Sequence, residues 1–149
     1  MTDRIDPVVV RLELDATGYE PGGELRGVFS LPASALAVAR SVELSVLWQD
    51  KGGSPPTVVH YEGWKAEDGT LARLELPFAF SLKLPRMPWS YEGKRIAIRW
   101  LVRVRFRYDE SPKRVGEIVR DVSFAMSPTG EPVRPIRGPG SDDDADEDE

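Results

Sequence analysis

From Lys94 to Asp109 the chain alternates without a break. Ile96, Ile98, Trp100, Val102, Val104, Phe106 and Tyr108 fall on one side, and Arg95, Ala97, Arg99, Leu101, Arg103, Arg105 and Arg107 on the other. A period of two is that of a β-strand with one buried face. At about 3.3 Å per residue the run would reach roughly 50 Å. Strands of that length bend or bulge, so this one is expected to curve and to serve two sheets.

Shorter segments share the period. Val8, Val10, Leu12 and Leu14 mark a first strand. Leu25, Gly27, Phe29 and Leu31 mark a second, with Gly27 signalling a bulge or a close backbone approach. Val42, Leu44, Val46 and Trp48 form a third, and Thr57 to Lys65 continues in β character with no clear choice of face. From Ala72 onward, Leu74, Leu76, Phe78, Phe80 and Leu82 share a side; Pro77 either interrupts that strand or turns its missing N–H to solvent. Gly116, Ile118, Val122, Phe124 and Met126 form a last strand in which Arg120 breaks the pattern.

The connections carry turn chemistry. In Tyr19-Glu20-Pro21-Gly22-Gly23, Pro21 pre-sets φ at the second position of a tight turn and Gly22 supplies the positive φ of a type II turn. Pro32 to Arg40 reads as a loop with one helical turn, Lys51 to Pro56 as an exposed, mobile loop, and Leu84 to Gly93 as a long connection fixed by prolines. With no amphipathic helix and turns at sandwich-like spacing, the pattern predicts an all-β, antiparallel sandwich of about seven strands over residues 1–127.

Composition divides the rest of the chain. Pro128 to Gly140 reads as a Pro/Gly-rich linker, and Ser141 to Glu149 as a disordered tail with seven acids and no base. Setting those seven aside leaves 18 acids against 20 Lys and Arg, so a body of about +2 carries an acidic end. There is no cysteine, which removes disulfides, thiolate metal sites and cysteine nucleophiles and fits a reducing, cytoplasmic compartment. No run is long and apolar enough for a membrane span, and Met1 to Pro7 lacks the marks of a signal peptide.

Chemistry has little to stand on. His60 is the single histidine, with no nucleophile signature and no ligand partners. Glu62, Glu67 and Glu75 read as solvated strand positions, and the acidic tail lacks the spaced ligands of a calcium loop. The expectation is a protein that is not an enzyme and has no metal or cofactor. Among the tryptophans, Trp48 and Trp100 fit core positions, while Trp89, in a loop, is a candidate contact residue.

Three stretches together resemble the N-terminal domain of arrestins. Tyr19 to Val28 resembles that family's tyrosine–proline–glycine corner with a spaced glycine (Tyr19, Pro21, Gly22, Gly27). Leu76 to Gly93 resembles its Phe-x-Phe … Pro … Pro-x-Ser segment (Phe78, Phe80, Pro85, Ser90), and Ile98 to Val104 the strand that follows, with Trp100 where the family usually has tyrosine. The order and spacing agree from about Val8 to Met126. The wider group includes arrestins, retromer-type sorting subunits and bacterial sporulation-control relatives. The resemblance implies an immunoglobulin-like sandwich and a non-enzymatic adaptor or scaffold that binds another protein. The chain has room for one such sandwich where arrestins have two, so their interdomain polar core does not carry over. Their phosphate-sensing residues are not identifiable here either.

The arginine stripe, Arg95, Arg99, Arg103, Arg105 and Arg107, is the sharpest surface feature. It is either an ordinary solvated face or a protein-binding surface, since like charges about 7 Å apart favour an acidic or phosphorylated partner. The tail, residues 141–149, is a candidate competitor in cis. The alternative is a nucleic-acid or anionic-lipid surface, against which the sequence pI near 5.0 weighs. Strand addition at an open sheet edge is a third possibility and needs no charge.

Overall fold

The computed structural model describes residues 10–92 and 97–129. The expected strand residues Val8 and Lys94 to Ile96, the linker from 130 onward and the tail 141–149 lie outside them. Within them the chain folds as β1 (Arg11–Leu14), β2 (Gly18–Tyr19), β3 (Glu24–Ser30), α1 (Ala33–Ala37), β4 (Ala39–Asp50), β5 (Thr57–Lys65), a 3₁₀ turn (Thr70–Arg73), β6 (Phe78–Lys83), β7 (Tyr91–Glu92), β8 (Ala97–Ser111) and β9 (Arg114–Met126). Two sheets pack face to face: β1-β3-β6, and β2-β9-β8-β4-β5 with β7 also on β8. All pairings are antiparallel except the two-residue β2 on β9. The fold is an all-β sandwich. No helix among the described residues is long and apolar enough to cross a membrane.

The alternation decides what lies between the sheets. Trp100, Val102, Val104 and Phe106 of β8 are fully buried, as are Val42, Leu44 and Val46 of β4 and Leu25 and Phe29 of β3. At roughly 25 cal/mol per Å² of apolar surface removed from water, each such side chain contributes about 1.5–3 kcal/mol. Phe29, Trp64 and Phe78 meet ring to ring at 5.0–6.0 Å and close one end of the core.

Three expectations change. The long strand β8 does not pass between sheets; all its partners belong to the larger one, and its irregularity is a register shift near Asp109. The run from Ala72 is not strand before Phe78: Leu71 and Leu74 are buried from a 3₁₀ turn and the residues after it, and the chain bends through Pro77. The undecided β5 proves to be an edge strand bonded only to β4, with His60, Glu62 and Trp64 at core-facing register and Val58, Val59 and Tyr61 exposed.

Arg120, which breaks the sequence pattern, gains an explanation here. It stands opposite Val104, on the core-facing side of β9. Most of β9 is the other open edge of the sheet, since β2 covers only Ala125 and Met126. On β5, Glu62 occupies the equivalent place opposite Leu44. A charge at a core-facing position on an edge strand blocks a second sheet from docking there. Replacing both, Arg120→Val with Glu62→Val, should convert the protein to dimers and larger species in analytical ultracentrifugation, where each single variant shifts it less.

Candidate functional site

The three stretches that carry the arrestin resemblance meet at one end of the sandwich. Glu20 to Gly23 forms the expected tight turn: the Gly23 N–H donates to the Glu20 carbonyl at 2.9 Å, and Gly22 has φ 77°. The turn is bonded in both directions to the end of β6, with Gly22 N–H donating to Pro85 O (3.2 Å) and Leu84 N–H to Gly23 O (2.8 Å). Tyr19 lies buried before the turn, its ring edge-on to Phe124 at 5.5 Å, and its hydroxyl accepts from Ala16 N–H. Burial pushes the Tyr19 pKa up. Gly27 sits under Phe80, its cross-strand partner: a Cβ there would fall 2.4 Å from Phe80 Cζ. The signal is a close approach rather than a bulge.

The connection after β6 is held at alternate points. Leu84 is buried, Pro85 is bonded to the Gly22 turn, and the Pro88 carbonyl accepts from the indole N–H of fully buried Trp100 at 2.8 Å. Ser90 is bonded twice to Met126: its N–H donates to the Met126 carbonyl (2.7 Å) and its Oγ accepts the Met126 N–H (2.8 Å). Tyr91 and Glu92 then pair with β8 as β7. The residues between the anchors point to solvent: Met87 is 74% exposed, Trp89 51% and Tyr91 42%. Three large apolar side chains thus stand exposed on a loop tied down on either side of each one, a geometry with little ordering entropy left to lose. The sequence singled out Trp89; it did not mark Met87 and Tyr91 as exposed alongside it, although prolines and Ser90 alternate there with large side chains.

A groove of about 450 Å³ opens beside this loop, where β7 replaces β9 alongside β8. Ser90, Tyr91, Ile98, Arg99, Ser123 and Phe124 are among its walls.

The structure places the arginine stripe on the outer face of the larger sheet, and Arg95 lies outside the described residues. Most of it is compensated. Arg103 makes a two-pronged contact with Asp121 (2.9 and 3.1 Å), which raises its pKa, chiefly through that hydrogen bond. Arg105 stands 2.8 Å from Glu117 and 3.5 Å from Glu43, and Arg107 3.8 Å from Glu117. The Arg105 Nε proton is not aimed at the Glu117 oxygen, so that contact is Coulombic rather than an aligned hydrogen bond. These pairs contribute roughly 0–1 kcal/mol each to stability. Their larger effect is to cancel the repulsion that an isolated stripe would carry. Arg99 differs: its cross-strand neighbour on β4 is Gln49, and among the described residues it has no ion pair.

His60 contacts Glu62 at 2.9 Å. Among the described residues no cluster of three or more His, Cys, Asp or Glu side chains could hold a metal ion. No protein-family model matches the chain, and a search of curated proteins finds no match.

Proposed function

We propose that this protein is a non-enzymatic protein-binding module, an adaptor or scaffold of arrestin-like, immunoglobulin-like build, whose partner is met by the loop 84–92. The observation that carries the reading is the loop itself: Leu84, Pro85, Pro88 and Ser90 are anchored while Met87, Trp89 and Tyr91 stand exposed. Tryptophan and tyrosine are the residues that most often dominate binding energy at interfaces. The resemblance motifs hold this loop in place and so act as scaffold. Strand addition to the larger sheet is disfavoured by the inward charges on both of its edges. Compensation of Arg103, Arg105 and Arg107 likewise weighs against nucleic acid or anionic lipid along the stripe. The acidic or phosphorylated character of the partner rests on Arg99, and the acids of residues 141–149 are its competitor in cis. The absence of cysteine supports a cytoplasmic setting.

The test is affinity capture with the full chain, followed by titration of each purified partner against variants. Trp89→Ala and Met87→Ala should each weaken binding by about tenfold or more, with the thermal midpoint unchanged, because both side chains are exposed. Full affinity in the double variant would refute the reading.

A further inference from the structure

Two leucines of the larger sheet are buried on its outer face. Leu47 lies between the core-facing Val46 and Trp48, and Leu101 between the core-facing Trp100 and Val102, so both point away from the smaller sheet. They are cross-strand partners, and neither belongs to the core between the sheets. Even so, Leu47 is 2% exposed and Leu101 4%. Val58, opposite Leu47 on β5, is 50% exposed, and Ser123, opposite Leu101 on β9, is exposed as well. The row Val58–Leu47–Leu101–Ser123 has a covered middle and open ends.

Few described side chains are placed to cover it. Ser45 and Ser123 are short. Tyr61 leans the other way, over Gly63 and toward Glu43, and Arg103 is drawn to Asp121. Arg99 and Gln49 border the pair of leucines on one side only, and the loop 51–56 is exposed throughout. Outside the described residues, 1–9 lead into β1 of the other sheet, whereas 130–149 continue from β9 itself. The Ser127 N–H is held by the Tyr19 carbonyl at 3.0 Å. The chain therefore departs from a fixed point, four residues and about 13 Å along β9 from the Ser123–Leu101 row.

Beyond Thr129 the large apolar residues are Val133 and Ile136. Val133 follows Ser127 by six residues, a reach of up to roughly 20 Å. Pro132 and Pro135 bias the stretch toward polyproline II, whose three residues per turn put Val133 and Ile136 on one side, about 9 Å apart. Neighbouring strands lie about 4.8 Å apart, so two steps across the sheet cover nearly the same distance. A segment crossing the strands sets one of the two beside Leu101 and the other beside Val58, with Leu47 between them.

We infer that residues 132–136 form a strap docked across the outer face of the larger sheet, with Val133 and Ile136 seated on the row Val58–Leu47–Leu101. The occupant of this face is the chain's own segment. The inference is independent of the contact role of the loop 84–92. It does bear on the acidic tail: Asp142 follows Ile136 by six residues, so a seated strap keeps the acids within about 20 Å of the face that carries Arg99.

Methyl-labelled full-length protein tests this by NMR. Nuclear Overhauser contacts should connect Val133 with Leu101 and Ile136 with Val58 or Leu47, and a soluble gadolinium chelate should leave the Leu47 and Leu101 methyls sharp. Val133→Ser with Ile136→Ser should abolish those contacts and broaden both leucines, while Leu44 and Val102 of the core stay sharp. Arg134→Ser with Arg137→Ser, which changes another side of the strap, should retain the cover. Absence of the contacts, leucines still shielded in the Val133→Ser, Ile136→Ser variant, or cover lost equally in the arginine variant would each overturn the inference. Sedimentation of the parent then assigns the cover: a concentration-dependent dimer gives it to a second copy, and a monomer to Arg99 and Gln49.

Discussion

Trp100→Phe should lower the stability of this protein by about 2 kcal/mol and, beyond that, release a loop it does not belong to. Trp100 is fully buried between the sheets, and its indole N–H is the donor that holds the Pro88 carbonyl. Phenylalanine keeps most of the apolar volume and removes the donor. The smaller ring costs part of the packing, and the carbonyl left without its partner costs about 1–3 kcal/mol to the extent that water cannot reach it. Chemical denaturation measures the stability loss. The diagnostic readout is amide exchange: Ser90 and Tyr91 should exchange faster than the global destabilisation accounts for, while β4 should not. A purely global effect would show that the loop is held without Trp100.

The second large effect is expected at Gly27. Alanine there would place a methyl 2.4 Å from Phe80 Cζ, 2.9 Å from the Glu13 carbonyl oxygen and 2.9 Å from Leu14 Cδ2. Two of these atoms belong to side chains; the Glu13 oxygen is backbone within the β1–β3 ladder, so the site has little freedom to relax. Overpacking of this kind typically costs 1–3 kcal/mol, and Gly27→Ala is placed at the upper end, about 3 kcal/mol. Because Phe80 makes the closest contact, Gly27→Ala with Phe80→Leu should destabilise by less than the sum of the two single changes, a coupling that a double-mutant cycle reads directly. Strict additivity would show that Phe80 is not what excludes the methyl group.

These two residues also show what was legible in the sequence. Gly27 interrupts an alternating strand, which from the pattern means either a bulge or a close approach; pairing with β6 decides for the close approach and identifies Phe80 as the neighbour. The core face of β8 was readable because a period of two leaves a regular strand no other arrangement. The run from Ala72 to Leu82 has the same apparent period and misleads, because Leu71 and Leu74 reach the core from a 3₁₀ turn and the residue after it. Alternation over a few residues around a proline is satisfied by more than one backbone.

The candidate site was less legible than the fold, for a reason of register. The stripe of arginines is local in sequence, but the carboxylates that compensate it come from β4 and β9. Glu43 precedes Arg105 and Asp121 follows Arg103 at distances along the chain that no local pattern reports. Only the cross-strand alignment separates Arg99 from Arg103, Arg105 and Arg107. The loop hides for the same reason. Ser90 is tied to Met126 and Pro88 to Trp100, contacts 36 and 12 residues apart. Without them, Leu84 to Gly93 reads as an irregular connection rather than a rigid mount for Met87, Trp89 and Tyr91. Arg120 is the converse: an anomaly in the sequence that becomes interpretable once β9 is known to be an edge.

The central claim is that the loop 84–92 is a fixed surface, not a flexible one, and residue-resolved amide hydrogen exchange on the full-length protein tests it most directly. The N–H groups of Leu84 and Ser90, bonded to Gly23 and Met126, should show protection comparable to that of the β8 amides. Exchange of Ser90 at the rate of an unstructured chain, with β8 still protected, would contradict the account.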